Sequence, residues 1–91
     1  MHYIYLLKST SAGILYIGRT RNVVQRLREH NAGDTFTTRK YRPWTLVYLE
    51  GYRSADDAKH REHTIKQFGK VYAQLKRRIE KSIAGAGKVR G

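Results

Sequence analysis

The sequence predicts an α/β domain of the α+β kind, a small, largely antiparallel sheet packed with helices in the order ββαβαα. Three observations lead there. Two short aromatic and branched runs flank a polar connector, a third such run follows later, and helical apolar spacing fills the intervals. With 91 residues the chain has room for one domain, expected over 1–84 with a flexible basic tail over 85–91. Its 40% hydrophobic and 11% aromatic content is enough for a core and unlike that of a disordered chain.

The elements follow in order. Residues 3–7 (Tyr-Ile-Tyr-Leu-Leu) and 14–18 (Ile-Leu-Tyr-Ile-Gly) read as a hairpin. A register pairing Leu7 with Ile14 would set Tyr5 opposite Tyr16, on one face. Asn22 is an N-cap with Gln25 three positions on, and Val23, Val24 and Leu27 give the first helix an apolar stripe that Asn31-Ala32-Gly33 stops. Residues 32–44 form a basic, aromatic loop. Residues 45–52 return as a third strand, and Leu46 to Leu49 suggest burial on both faces. Ser54 caps a second helix, with Asp56 and Asp57 in its first turn and a stop at Gly69. A last helix is expected over 71–84, with Tyr72, Leu75, Ile79 and Ile83 apolar and Lys76, Arg77, Arg78 and Lys81 on other faces.

Nineteen Lys and Arg against seven Asp and Glu give a formal charge of +12 and a pI near 10.4. Such a field draws polyanions, DNA or RNA before an anionic membrane surface. The chain has no cysteine, which excludes disulfides, zinc–thiolate sites and thiol nucleophiles. No apolar run approaches the roughly 20 residues needed to span a bilayer. No signal-peptide pattern opens the chain, so a cytoplasmic protein is expected. A phosphate-binding loop of the NTPase type is absent, the four histidines form no His-Glu-x-x-His motif, and the carboxylates are too scattered for a two-metal cluster.

Some residues fit a structural reading awkwardly. Glu62 lies four residues after Ala58 and three before Ile65, so a carboxylate interrupts the stripe of the second helix. Such a group needs a cationic partner or a metal ion. Arg26 and His30 share a face of the first helix, where a guanidinium can grip a phosphate and an imidazole can move a proton, unless that face is simply solvated. Tyr5 and Tyr16 are ordinary strand packing unless nearby positive charge turns one into a base. The stretch from Phe36 to Trp44 mixes cations and rings suited to gripping a backbone and stacking on bases. Within it Trp44 reads as core, and Arg39, Lys40 and Arg42 as DNA contacts.

The ordered set Tyr3-Ile4-Tyr5, Tyr16-Ile17-Gly18, Arg26, His30 and Glu62 resembles the GIY-YIG nuclease domain over residues 3 to about 80. It is most similar to the small stand-alone bacterial members of that superfamily, and also to the GIY-YIG domain of the excision-repair nuclease. The resemblance implies a central three-stranded antiparallel sheet flanked by three helices. It implies a catalytic set of Tyr5, Tyr16, Arg26, His30 and Glu62, with Glu62 binding one Mg2+ or Mn2+ ion. Arg26 would hold the scissile phosphate and a tyrosine, Tyr5 by preference, would take a proton from the attacking water with His30 assisting. Arg19, after the second motif, would support the phosphate or the tyrosine.

The substrate implied is double-stranded or branched DNA, with structure selectivity in repair or recombination and residence at the nucleoid while bound. Two features depart from the family pattern. Tyr3 stands where the first motif usually has glycine, and the asparagine that many relatives carry late in the domain has no counterpart, since Asn22 and Asn31 are the only asparagines. The alternatives are a nucleic-acid-binding module with a degenerate site, or a subunit active only with a repair-protein partner.

Overall fold

A computed structural model describes residues 1–86. Strand β1 (His2–Ser9) and strand β2 (Leu15–Thr20) form the expected antiparallel hairpin. The register differs from the expected one: Leu7 faces Tyr16, and Tyr5 faces Gly18. Side chains alternate with a period of two, so this two-residue shift leaves Tyr5 and Tyr16 on the same face. Their ring centroids lie 6.3 Å apart.

Strand β3 (Trp44–Tyr52) pairs antiparallel with the other side of β1, giving the order β2-β1-β3. The central strand is therefore the one covered on both faces, and Ile4, Tyr5, Leu6 and Leu7 are all buried. As an edge strand, β3 lacks the expected two-sided burial. Leu46, Val47 and Tyr48 are half-buried and Leu49 is exposed. A bulge sits where Leu6 faces Tyr48 and Leu7 faces Leu46, leaving Val47 as the extra residue.

Helix α1 (Val23–Ala32) begins as its cap predicts, with Asn22 Oδ1 accepting from the Gln25 backbone N–H at 3.0 Å. It ends at Gly33, whose left-handed φ of +83° lets its N–H reach the carbonyls of Glu29 and His30. The buried stripe is narrower than expected because Val24 is exposed. It runs through Val23, Leu27 and His30, so the imidazole fills the position of a third apolar residue. The Asn31 amide then pins the start of β3, donating to the Trp44 carbonyl at 3.0 Å and accepting from the Trp44 N–H at 2.6 Å.

Helix α2 (Ala55–Gln67) is capped by Ser54, which accepts from the Asp57 N–H. The chain breaks at Phe68, in extended backbone, and Gly69 opens helix α3 (Gly69–Arg78) instead of closing α2. The last helical segment is itself interrupted at Ile79, after which α4 (Glu80–Gly85) brings the Ile83 carbonyl to Lys8 Nζ at 2.9 Å. The expected boundary after residue 84 thus falls inside α4, and residues 87–91 lie outside the described part. None of the described helices is long and apolar enough to cross a membrane.

The sheet carries two separate cores. Against one face, Ala58 and Ile65 of α2 and Leu75 of α3 close on Ile4, Leu6 and Ile17. On the other, Tyr5, Leu7 and Trp44 are buried with Tyr16, Leu27, Tyr41 and Leu46 around them.

Candidate active site

The second face holds most of the residues singled out in the sequence. Tyr5 is 2% exposed and points across the strand pair over Gly18. A Cβ built at Gly18 would overlap the Tyr5 hydroxyl and Cζ, with Cε1 only 2.8 Å away. Only glycine admits the phenol there, which gives the glycine of Tyr16-Ile17-Gly18 a packing role that the sequence reading missed. A lone glycine inside a strand was the available signal.

His30, fully buried, bridges two elements. Its Nε2 lies 2.9 Å from the Tyr5 hydroxyl, and its Nδ1 2.8 Å from Thr38 Oγ1. The Thr38 hydroxyl in turn donates to the Thr35 carbonyl at 3.5 Å. With the Thr38 hydroxyl donating to Thr35, hydrogen on Nδ1 would leave the Nε2 lone pair to accept from Tyr5. Burial lowers the His30 pKa, and the Arg26 charge lowers it further, so the ring is neutral at pH 7. Thr38 had no sequence signal, because it meets His30 only through the fold of the 32–44 loop.

Burial pushes the Tyr5 phenol up to about 12, against the downward pull of the Arg26 guanidinium beside it. The same contact with Tyr5 raises the Arg26 pKa against its own burial. Arg26 NH1 also lies 3.5 Å from Glu29 Oε2. Tyr16 closes the group, its ring edge-on to His30 at 5.1 Å and 6.1 Å from Trp44. Trp44 is core, as expected, and its indole N–H donates to the Thr38 carbonyl at 2.9 Å.

Glu62 stands on α2, which packs against the opposite face of the sheet from this group. Successive residues of a strand point to opposite faces, so Gly18 underlies the Tyr5 phenol while Arg19 turns toward α2. There Arg19 Nε donates to Glu62 Oε1 at 3.2 Å, and Lys66 Nζ to Oε2 at 3.1 Å. The carboxylate is 18% exposed, and its charge is felt at the Tyr5 hydroxyl. Glu62 thus has the cationic partners that a carboxylate in the α2 stripe requires.

Among the described residues no three His, Asp or Glu side chains converge to hold a metal ion. A single carboxylate nevertheless fits a magnesium-type ion, which keeps several waters and takes one or two carboxylates together with substrate phosphate. Glu62 is the residue that could hold it, by exchanging Arg19 and Lys66 for the ion.

The three loop cations are engaged within the loop itself. The Arg39 guanidinium lies over the Phe36 ring and Lys40 Nζ over the Tyr41 ring. Arg42 Nε donates to the Arg39 carbonyl at 2.8 Å.

Comparison with known proteins gives a consistent picture. A family model described as the GIY-YIG catalytic domain matches residues 1–76. A UPF0213 protein of Halobacterium salinarum is 41% identical over 72 residues, covering 78% of this chain and 92% of that protein. One from Staphylococcus haemolyticus is 41% identical over 70 residues, covering 76% and 84%. The solution NMR structure of a UPF0213 protein from Bacillus halodurans superposes with a TM-score of 0.53 at 25% identity, covering 97% of this chain and 98% of that one.

Proposed function

This chain belongs to the GIY-YIG catalytic-domain family, a nuclease-type family, and from that premise we propose that it is a metal-dependent endonuclease hydrolysing DNA phosphodiester bonds. The observation that carries the reading is the buried Tyr5–His30–Thr38 relay beside the Arg26 guanidinium. A phenol held at about 12 is protonated at neutral pH, so free phenolate is not the base. The neutral Nε2 of His30 supplies the missing acceptor. As water attacks phosphorus in line with the leaving sugar oxygen, its proton passes to the Tyr5 oxygen while the phenolic proton moves to His30. The bond to the leaving oxygen breaks, and that oxygen is protonated by solvent.

Arg26 takes two phosphate oxygens with its planar fork, and Arg19 adds positive charge once it leaves Glu62. Tyr16 shields the relay on its open side. A Mg2+ or Mn2+ ion at Glu62, when bound, supplies charge stabilisation for the phosphate and the leaving oxygen. The surplus of cations, including Arg39, Lys40 and Arg42, suits the DNA backbone, and the expected setting is repair or recombination in the cytoplasm, with or without a protein partner.

The test is cleavage of duplex, single-stranded and branched DNA with each ion. Arg26→Ala and Glu62→Ala should each lose about 10²–10³-fold in rate while binding persists. Wild-type protein that cuts none of these substrates with either ion overturns the enzyme reading, and a Glu62→Ala protein that cuts normally overturns the metal role of Glu62.

One observation favours a second reading, a binding module with a degenerate site: both Glu62 oxygens already hold cations. Binding would then weaken steeply with salt through counterion release and ignore EDTA.

A further inference from the structure

Among the described residues Phe36 is the most exposed of the large apolar side chains, at 82%. Isolated apolar residues on a surface are common, but this one stands on an anchored turn. The Thr38 and Arg39 N–H groups both bond the Thr35 carbonyl, at 3.2 and 3.0 Å, and the Tyr41 N–H bonds the Thr38 carbonyl at 3.1 Å. Thr38, two residues on, is buried and tied to both His30 and Trp44. The ring is therefore held out into solvent by a fixed backbone. The Arg39 guanidinium carbon sits 5.2 Å from its centroid.

We propose that Phe36, backed by Arg39, is a stacking platform for one unpaired base, which makes the preferred ligand DNA with unstacked nucleotides: single strands, flaps and the open arms of branched structures. The proposal rests on the nucleic-acid reading of the chain and goes beyond it by naming the contact that selects substrate structure. An aromatic face accepts any base, and a cation beneath it strengthens the stack and meets the adjoining phosphate. A continuous duplex offers no free base face, so the ring gains nothing from it. Two residues of chain span at most about 7 Å, which places the platform close to the residue that orients His30. A base stacked on Phe36 would thus lie within a short stretch of strand of the phosphate at Arg26.

The experiment measures binding in EDTA, where no cutting occurs, by fluorescence anisotropy. The probes are an oligonucleotide, the same oligonucleotide with a central run of abasic sites, and a blunt duplex. The two single strands carry equal phosphate charge, so their difference reports base contact alone. Wild type should bind the base-bearing strand about fivefold or more tightly than the abasic one. Phe36→Ala should erase that preference and leave duplex affinity unchanged, and Phe36→Trp should restore it.

A preference that survives Phe36→Ala overturns the proposal, and so does a wild type with no preference. Equal weakening of all three probes by Phe36→Ala overturns it too, since the ring would then only prop the loop. Because cleavage is not read, a protein that never cuts can pass and an active nuclease can fail. The platform and the nuclease reading therefore stand or fall separately.

Discussion

The two faces of the sheet differ in what they bury. The face under α2 and α3 is closed by aliphatic side chains, Ile4, Leu6, Ile17, Ala58, Ile65 and Leu75. The face under α1 buries rings, and on that side lie the buried polar residues Ser9, His30 and Thr38. Every one of those polar atoms has a partner among the described residues. The first face therefore gains stability from non-directional burial, whereas the second spends its interior on directed bonds that aim Tyr5 at His30.

The aliphatic face has its polar group at the margin. Glu50 of β3 accepts from the hydroxyls of Tyr48 and Tyr52 at 2.5 and 2.6 Å and from Arg61 Nε and NH2, each at 2.9 Å. Arg61 precedes Glu62 on α2, so this staple helps fix the rotation at which α2 presents Glu62 to Arg19.

The contrast can be broken by mutation. Ile65→Ala should destabilise the fold by about 2–5 kcal/mol by leaving a cavity, read as a lower denaturant midpoint, while activity per folded molecule is preserved. A large loss of activity in the protein that remains folded would show that the two faces are not separable. His30→Phe fills space without accepting from Tyr5. It should cost about 1–3 kcal/mol for the orphaned hydroxyl and also abolish proton transfer, so cleavage falls in protein that is still folded.

Acid sharpens the comparison, because the two faces respond in different windows. The His30 pKa is lowered below 6.5 in the folded state, so the unfolded chain binds the extra proton. Stability should fall as pH drops through about 6.5, until the folded-state pKa is passed. The loss should be absent in His30→Phe when melting temperature is followed from pH 8 to 5. Burial alone would raise the Glu50 carboxyl, but Arg61, Tyr48 and Tyr52 hold it down at about 2. Its contribution is full above the unfolded value near 4.5 and is lost as pH falls toward 2. Glu50→Gln should remove this lower-pH component and leave the His30 transition in place.

Much of the fold was legible in particular residues. Asn22 and Ser54 capped the helices they were expected to cap, Gly33 ended α1, and the strand runs formed the three-stranded sheet. These signals act within a few residues, so composition and spacing suffice to reveal them. Gly69 misled because a helix-stopping residue tolerates a helix start equally well, and the interruption at Ile79 had no local mark.

The sequence by itself determined the order of elements, the excess of positive charge and the types of side chain available for chemistry. Tertiary structure decided the hairpin register, the burial of His30 against a tyrosine 25 residues away and the pairing of Arg19 with Glu62 across 43 residues. The physical reason is reach. Caps and periodicity depend on neighbours in the chain, whereas the Tyr5–His30 bond depends on which faces meet after the loops close.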